Sequence, residues 1–324
     1  LRTKTLEHQW LHNLCMRGGG DDKDVQNLKR LAAGYAGECE FDDWLSNYGR
    51  PHWKIFKDIW IDAGGTTQVD TLLVTGEGVY VFDVKNYSGA LEFVDGKWFS
   101  SGKRLNKDIF IQLKRSMEKV SLMHYRMGRP GGLYSSIVFI NEHHDVKIVD
   151  GVDIEVTMRN DIKRKIHKIA DEENWNGSLD IEEVARAIET FIIPCPYSPR
   201  ELEAAEFDLL RRGICCAECS GFDIAVNRYH VRCGCGHSEA KEKAVLRTIC
   251  EYGVLRHDRE LKLEEVYRFL GGVTSKKHLS KVLRRNFKLI STGRHAKYEN
   301  PRSEYDFVFK DHDFYYNRPV LNRV

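Results

Sequence analysis

The chain has 324 residues, 42% of them hydrophobic, which is enough apolar mass for two or three compact domains. Its net charge of only +2 excludes a polycation that coats nucleic acid indiscriminately, so any nucleic-acid surface has to be local. No run of about 18 apolar residues and no charged-then-apolar leader occurs, so neither a helical membrane span nor a secretory signal is expected, and the chain reads as cytosolic with no membrane partner.

Residues 1–30 have a polar, helical pattern broken at Gly18-Gly19-Gly20-Asp21-Asp22, where a loop is predicted. From Gly34 to Tyr48, the residues Phe41, Trp44, Leu45 and Tyr48 recur at helical spacing and define an inward stripe. Extended backwards, the stripe passes through Glu38 and Gly34. Strands are expected at Trp53 to Ile61, Gln68 to Val74 and Val79 to Lys85, followed by a hairpin at Asp95-Gly96. A helix from about Asn106 to Met127, apolar at Ile109, Leu113, Met117 and Val120, leads to strands at Ser136 to Ile140 and Val152 to Val156. Helices near 161–172 and 180–192 close this region. The order predicts a mixed α/β sheet flanked by helices over residues 31–192.

Pro194, Pro196 and Pro199 mark a boundary, and Ser198, Pro199 and Glu201 form a capping-box signature for a linker helix ending at Gly213. A cysteine segment completes residues 196–238. Residues 239–300 carry three helical patterns, Glu239 to Tyr252, Leu263 to Phe269 and Ser275 to Asn286, then strand-like residues from Lys288 to Tyr298. Residues 301–324 form an aromatic, charged tail without period.

The glycines of Thr75-Gly76-Glu77-Gly78 suit a two-residue hairpin loop. Closing it between Thr75 and Gly78 sets Asp70 opposite Asp83, and alternation puts Asp70, Leu72 and Val74 on the same face as Val79, Val81, Asp83 and Lys85. Like charges facing across strands need a proton, the adjacent ammonium or a divalent cation to offset them. An exposed Asp83–Lys85 pair is the plainer alternative. It is weakened because five of the six positions from Val79 to Val84 are apolar, the pattern of a strand covered on both sides. A Glu38 buried on its stripe also needs a partner and could add an oxygen ligand. Such oxygen donors suit Mg²⁺ or Mn²⁺.

Five of nine cysteines fall between positions 215 and 235. Cys216-x-x-Cys219 and Cys233-x-Cys235, thirteen residues apart, have the layout of two turns offering four thiolates to a structural Zn²⁺. Cys215, His230 or His237 could replace one of them. The third helical pattern beyond it carries Lys276, Lys277, Lys281, Arg284 and Arg285, and the strand-like stretch adds Arg294, His295 and Lys297. Residues 239–300 resemble a winged helix, in which such a basic helix and wing meet base edges and phosphates; a solvated basic face or a protein-docking module is the alternative.

Gly37-Glu38, Gln68-Val69-Asp70-Thr71-Leu72-Leu73-Val74 and Phe82-Asp83-Val84-Lys85-Asn86-Tyr87-Ser88-Gly89 together resemble the nuclease-related domain, NERD, a branch of the PD-(D/E)xK nucleases, over roughly residues 30 to 145. The resemblance implies a restriction-endonuclease-like fold that cleaves phosphodiesters with Mg²⁺ or a similar ion. It implies metal ligands at Glu38, Asp70 and Asp83, a catalytic lysine at Lys85, and a polar site position at Gln112. Asp83 stands where many relatives have Glu. Asn86 and Tyr87 are expected to shape the strand exit. The function expected is a DNA endonuclease, DNA before RNA as substrate, with the zinc and winged-helix modules for recognition; defence against foreign DNA fits such an enzyme. The competing expectation is an inactive, zinc-containing nucleic-acid-binding or regulatory protein.

Overall fold

A computed structural model describes residues 2–105, 108–176, 178–293 and 296–303. Two compact units emerge: Arg2 with residues 31–197, and residues 3–30 with the described residues from Ser198 onwards. The chain opens with α1 (Leu6–Met16) and α2 (Asp22–Tyr48). It continues through β1 (Lys54–Asp62), β2 (Thr66–Val74), β3 (Gly78–Lys85), β4 (Gly89–Val94), β5 (Lys97–Ser100), β6 (Lys103–Arg104) and α3 (Ile109–Arg126). Next come β7 (Gly132–Phe139), β8 (His144–Ile148), β9 (Glu155–Met158), α4 (Ile162–Asn176), α5 (Ile181–Glu189) and β10 (Ile192–Ile193).

The main sheet of the first unit has the order β10-β1-β2-β3-β7-β9. Its β10-β1-β2-β3 half is antiparallel, whereas β3-β7-β9 run parallel, so the sheet is mixed as the element order predicts. Central β3 is buried along its whole length, which is why its apolar residues run without alternation. Its two faces feed two cores. Leu72, Val74, Val79 and Val81 pack with Ile109, Phe110, Leu113, Val120 and Met123 of α3. Leu73, Tyr80, Phe82 and Val84 pack with Phe41 and Leu45 of α2 and with Ile162, Ile166 and Ile169 of α4. Each such side chain, fully buried, contributes about 1.5–3 kcal/mol.

Strands β6-β5-β4-β8 form a second sheet that the sequence reading anticipates only at one turn. That turn, Asp95-Gly96 between β4 and β5, has φ of 49° and 67°, the double left-handed conformation of a tight hairpin. Gly37 serves a different need: a Cβ there would lie 2.6 Å from Cβ of Asn86. Asn86 donates to the Ala33 carbonyl at 2.8 Å and accepts from Asn141 Nδ2 at 2.7 Å, tying the exit of β3 to α2 as its strand-exit role requires.

In the second unit follow α6 (Ala204–Leu209), β11 (Ile224–Val226), β12 (His230–Cys233), β13 (Ser238–Ala240) and α7 (Lys241–Leu255). Then come β14 (Leu261–Lys262), α8 (Leu263–Phe269), α9 (Lys276–Asn286), β15 (Leu289–Ser291) and β16 (Lys297–Tyr298). The long linker helix expected from Ser198 to Gly213 shrinks to the six residues of α6. Buried Leu202 is held outside any helix, its carbonyl accepting from Arg256 Nη1 at 3.0 Å, so a tertiary contact overrides the capping signature. Strands β11-β12-β13 form one small sheet and β14-β16-β15 another, the latter alongside α7, α8 and α9. Buried Arg17 of α1 is ion-paired with Glu251 of α7.

Candidate active site and cysteine cluster

The hairpin loop closes as its glycines predict, with the Thr75 N–H donating to the Gly78 carbonyl at 2.9 Å. Register follows from that closure: Val74 pairs with Val79, Leu72 with Val81 and Thr71 with Phe82, so Asp70 and Asp83 come opposite each other at the end of the ladder. Asp70 Oδ2 accepts from the backbone N–H of Val84 at 3.2 Å. Lys85 Nζ lies 2.5 Å from Asp83 Oδ1, and both side chains are about nine-tenths buried. The same ammonium donates to Gln112 Oε1 of α3 at 3.3 Å. Four residues named from the sequence, Asp70, Asp83, Lys85 and Gln112, therefore meet at one place.

A pocket of about 20 Å³, room for one water or ion, is lined there by Gln68, Asp70, Asp83, Gln112 and Ser116 among others. Asp83 Oδ2 is buried and receives no N–H donor among the described residues, leaving the carboxyl of Asp70 as its neighbour. Burial, and then the negative charge of Asp83, push the Asp70 carboxyl well above the ordinary carboxylate range. Burial works against the Lys85 ammonium, but the charges of Asp83 and Asp70 outweigh it and hold its pKa above the usual lysine value. Two buried carboxylates with one ammonium make a site that a divalent cation fits.

Glu38 is not gathered with Asp70 and Asp83 into a metal-sized cluster among the described residues. Helix α2 packs on the opposite face of the sheet from α3, and Glu38 Oε2 accepts instead from Arg2 Nη1 at 2.9 Å. Nothing in the sequence signalled Arg2. Its buried guanidinium also donates to the Asp70 carbonyl at 2.9 Å, to Thr71 Oγ1 at 3.0 Å and to Asp42 at 3.1 and 3.2 Å. Lys57 Nζ joins Asp42 at 3.1 Å. Burial raises the Glu38 pKa to about 7 against the pull of Arg2, helped by the charges of Asp58 and Asp42.

In the second unit Cys216, Cys219, Cys233 and Cys235 bring their sulfurs within 4.8 Å of one another. The Cys216–Cys235 and Cys219–Cys233 separations are 3.7 and 3.6 Å. Tetrahedral Zn²⁺ with Zn–S bonds of about 2.3 Å requires sulfurs about 3.8 Å apart, so the cluster is compatible with zinc. The substitutes weighed from the sequence do not join it. Buried Cys215 faces Glu251 and Arg247, its thiol pushed up to about 12 by burial and by Glu251, while His237 Nδ1 lies 3.8 Å from Glu218 and His230 sits on β12.

The basic residues of the last segment divide. Lys276 is paired with Glu264, Arg285 with Glu242 and Lys297 with Glu260. Lys277, Lys281 and Arg284 are exposed along α9 without an ion-pair partner among the described residues. Arg294 and His295 lie outside the described residues.

Residues 33–140 match the nuclease-related domain, NERD. All five residues of the candidate centre, Glu38, Asp70, Asp83, Lys85 and Gln112, fall inside that match, whereas the cysteine cluster and α7 to α9 lie beyond its end. No curated protein and no solved structure matches the chain. The match suggests a nuclease-like hydrolase function for that region, with a nucleic-acid substrate and a divalent metal. No helix of the described residues is long and apolar enough to cross a membrane.

Proposed function

We propose that the first unit is an endonuclease that hydrolyses DNA phosphodiesters at the Asp70, Asp83 and Lys85 centre with Mg²⁺ or Mn²⁺. The observation that carries this reading is the buried pair of facing carboxylates, with Lys85 Nζ 2.5 Å from one of them, inside a nuclease-related domain. Asp70 and Asp83 would hold the ion. A divalent cation there supplies Lewis acidity toward the phosphate and favours ionisation of water at neutral pH. Lys85 stays protonated, its charge placed to stabilise negative charge developing on the phosphate. Gln112 accepts from Lys85 Nζ and steers the ammonium. Glu38, held by Arg2, acts on the centre through its charge and not as a ligand.

In the same reading the cysteine cluster holds a structural Zn²⁺, since so short a segment has little core of its own. Helices α7 to α9 with β14 to β16 act as a winged helix whose exposed row of Lys277, Lys281 and Arg284, at helical spacing, meets DNA. The deciding experiment incubates the full chain with supercoiled plasmid or a structured RNA and MgCl₂ or MnCl₂. Plasmid nicking that is lost in Asp83→Ala and Lys85→Ala is expected. Wild-type turnover no greater than that of the two variants overturns the reading, and cleavage of RNA alone overturns the choice of DNA.

A further inference from the structure

In β1 the residue facing Asp70 is Asp58, and the ladder skips it: Lys57 pairs with Thr71 and Ile59 with Val69. Asp58 has φ of 50°, left-handed backbone in the middle of a strand, where an L side chain is strained and a regular ladder bond is lost. What the distortion delivers is a side-chain contact. Gln68 Nε2 donates to Asp58 Oδ1 at 2.5 Å. A carboxylate only accepts, so this bond settles which end of the Gln68 amide faces Asp58: the NH₂ is spoken for, and the carbonyl oxygen Oε1 is the end left over. Gln68 is two residues from Asp70 on β2, on the same side of the strand, and it lines the small pocket with Asp70, Asp83 and Gln112.

We propose that Gln68 presents its carboxamide oxygen to the divalent-cation site as a third protein oxygen beside Asp70 and Asp83, and that strained Asp58 is the positioning residue that fixes that orientation. The proposal rests on the metal-dependent reading of the centre and adds a ligand and its support to it. A carbonyl oxygen suits the place, because hard divalent cations take neutral amide oxygens beside carboxylates in an all-oxygen shell. Asp58 lies opposite Asp70 and diagonal to Gln68, and the break in the ladder at Asp58 coincides with its bond to Gln68.

The test titrates the full-length, zinc-loaded chain with MnCl₂ alone, following free Mn²⁺ by electron paramagnetic resonance, with circular dichroism melting as a check on folding. Gln68→Ala is expected to weaken Mn²⁺ binding about ten-fold or more, as is usual for removal of a metal-site partner. Asp58→Gly, which accepts the left-handed backbone without strain and keeps the strand, is expected to weaken it comparably. Asp58→Asn, whose carbonyl can still accept from Gln68 Nε2 and whose side chain tolerates positive φ, is expected to bind close to wild type. Wild-type Mn²⁺ affinity in both Gln68→Ala and Asp58→Gly, with binding lost in Asp83→Ala, overturns this proposal and leaves the catalytic centre standing. Failure of the wild-type chain to bind Mn²⁺, or binding unaffected by Asp83→Ala, overturns the metal-dependent reading itself and this proposal with it.

Discussion

Replacing Lys85 with methionine tests the electrostatics of the centre without emptying the space that the side chain fills. At 2.5 Å, with an effective dielectric of about 20, the ammonium attracts Asp83 by about 7 kcal/mol before desolvation is counted. Broken buried pairs cost about 3–5 kcal/mol, because the remaining charge stays behind uncompensated. Here two carboxylates stay behind, and Asp70 already titrates high in the presence of Lys85. The sign follows from linkage. A carboxyl with a folded pKa above its unfolded value destabilises the fold increasingly as the pH rises from the unfolded value to the folded one, and the penalty vanishes below the unfolded value, where both states are protonated. Lys85→Met is therefore expected to lose about 3–5 kcal/mol at alkaline pH, where both carboxylates are ionised, and less at acid pH, and 10 mM MgCl₂ should recover part of the loss at alkaline pH. Native-state hydrogen exchange at the amides of β2 and β3 is the suitable assay, since it reads this unit whether or not the other opens first. An equal penalty at alkaline and acid pH, or none at either, refutes the account of a buried acid pair held by one ammonium.

Three other outcomes are accessible. Glu38→Gln should stabilise the metal-free chain by at most about 3 kcal/mol at pH 8, with the gain vanishing near pH 4.5, because the pKa of about 7 lies above the ordinary 4.5 and the ionised form is the costly one; melting curves across that range measure it. One zinc per chain is expected by elemental analysis, and Cys219→Ser or chelation should abolish protection in β11 to β13 while leaving β1 to β3 protected in hydrogen exchange. Neutralising Lys277, Lys281 and Arg284 together should reduce the slope of log affinity against log salt for duplex DNA by about 3. An unchanged slope would remove α9 from the interface.

How much of this was legible in the sequence depended on distance along the chain. The Gly76-Glu77 and Asp95-Gly96 turns were readable because a turn is decided by the few residues in it, and the first of them fixed the register that sets Asp70 against Asp83. The four cysteines were readable for the same reason, as their spacing lies within one short segment. Strand β8 escaped notice: His144, Asp145 and Lys147 alternate with only Val146 and Ile148, and pairing with β4 is what makes it a strand. Arg2 could not be found because its partners, Glu38, Asp42, Asp70 and Thr71, are 36 to 69 positions away. Helical periodicity put Glu38 on the inward side of α2, but it carries no information on which face of the sheet α2 covers, and on that face the partner of Glu38 is Arg2.

That pairing gives the region a charge balance of its own. Around β2 the carboxylates of Glu38, Asp42, Asp58, Asp70 and Asp83 meet the cations of Arg2, Lys57 and Lys85. On the α2 side Arg2 and Lys57 gather Asp42 and Glu38; on the α3 side Lys85 alone faces Asp83 and Asp70. Of the two negative charges left over, one belongs to the Asp70, Asp83 and Lys85 centre and the other to Asp58. Without a bound cation, protons make up the difference, and they do so at the two groups whose pKa values burial has raised, Asp70 and Glu38. A cation entering between Asp70 and Asp83 must then displace the proton that Asp70 holds, so its affinity should climb with rising pH. Beside a small pocket, two buried carboxylates with one ammonium keep a net negative charge, and that charge favours a cation there.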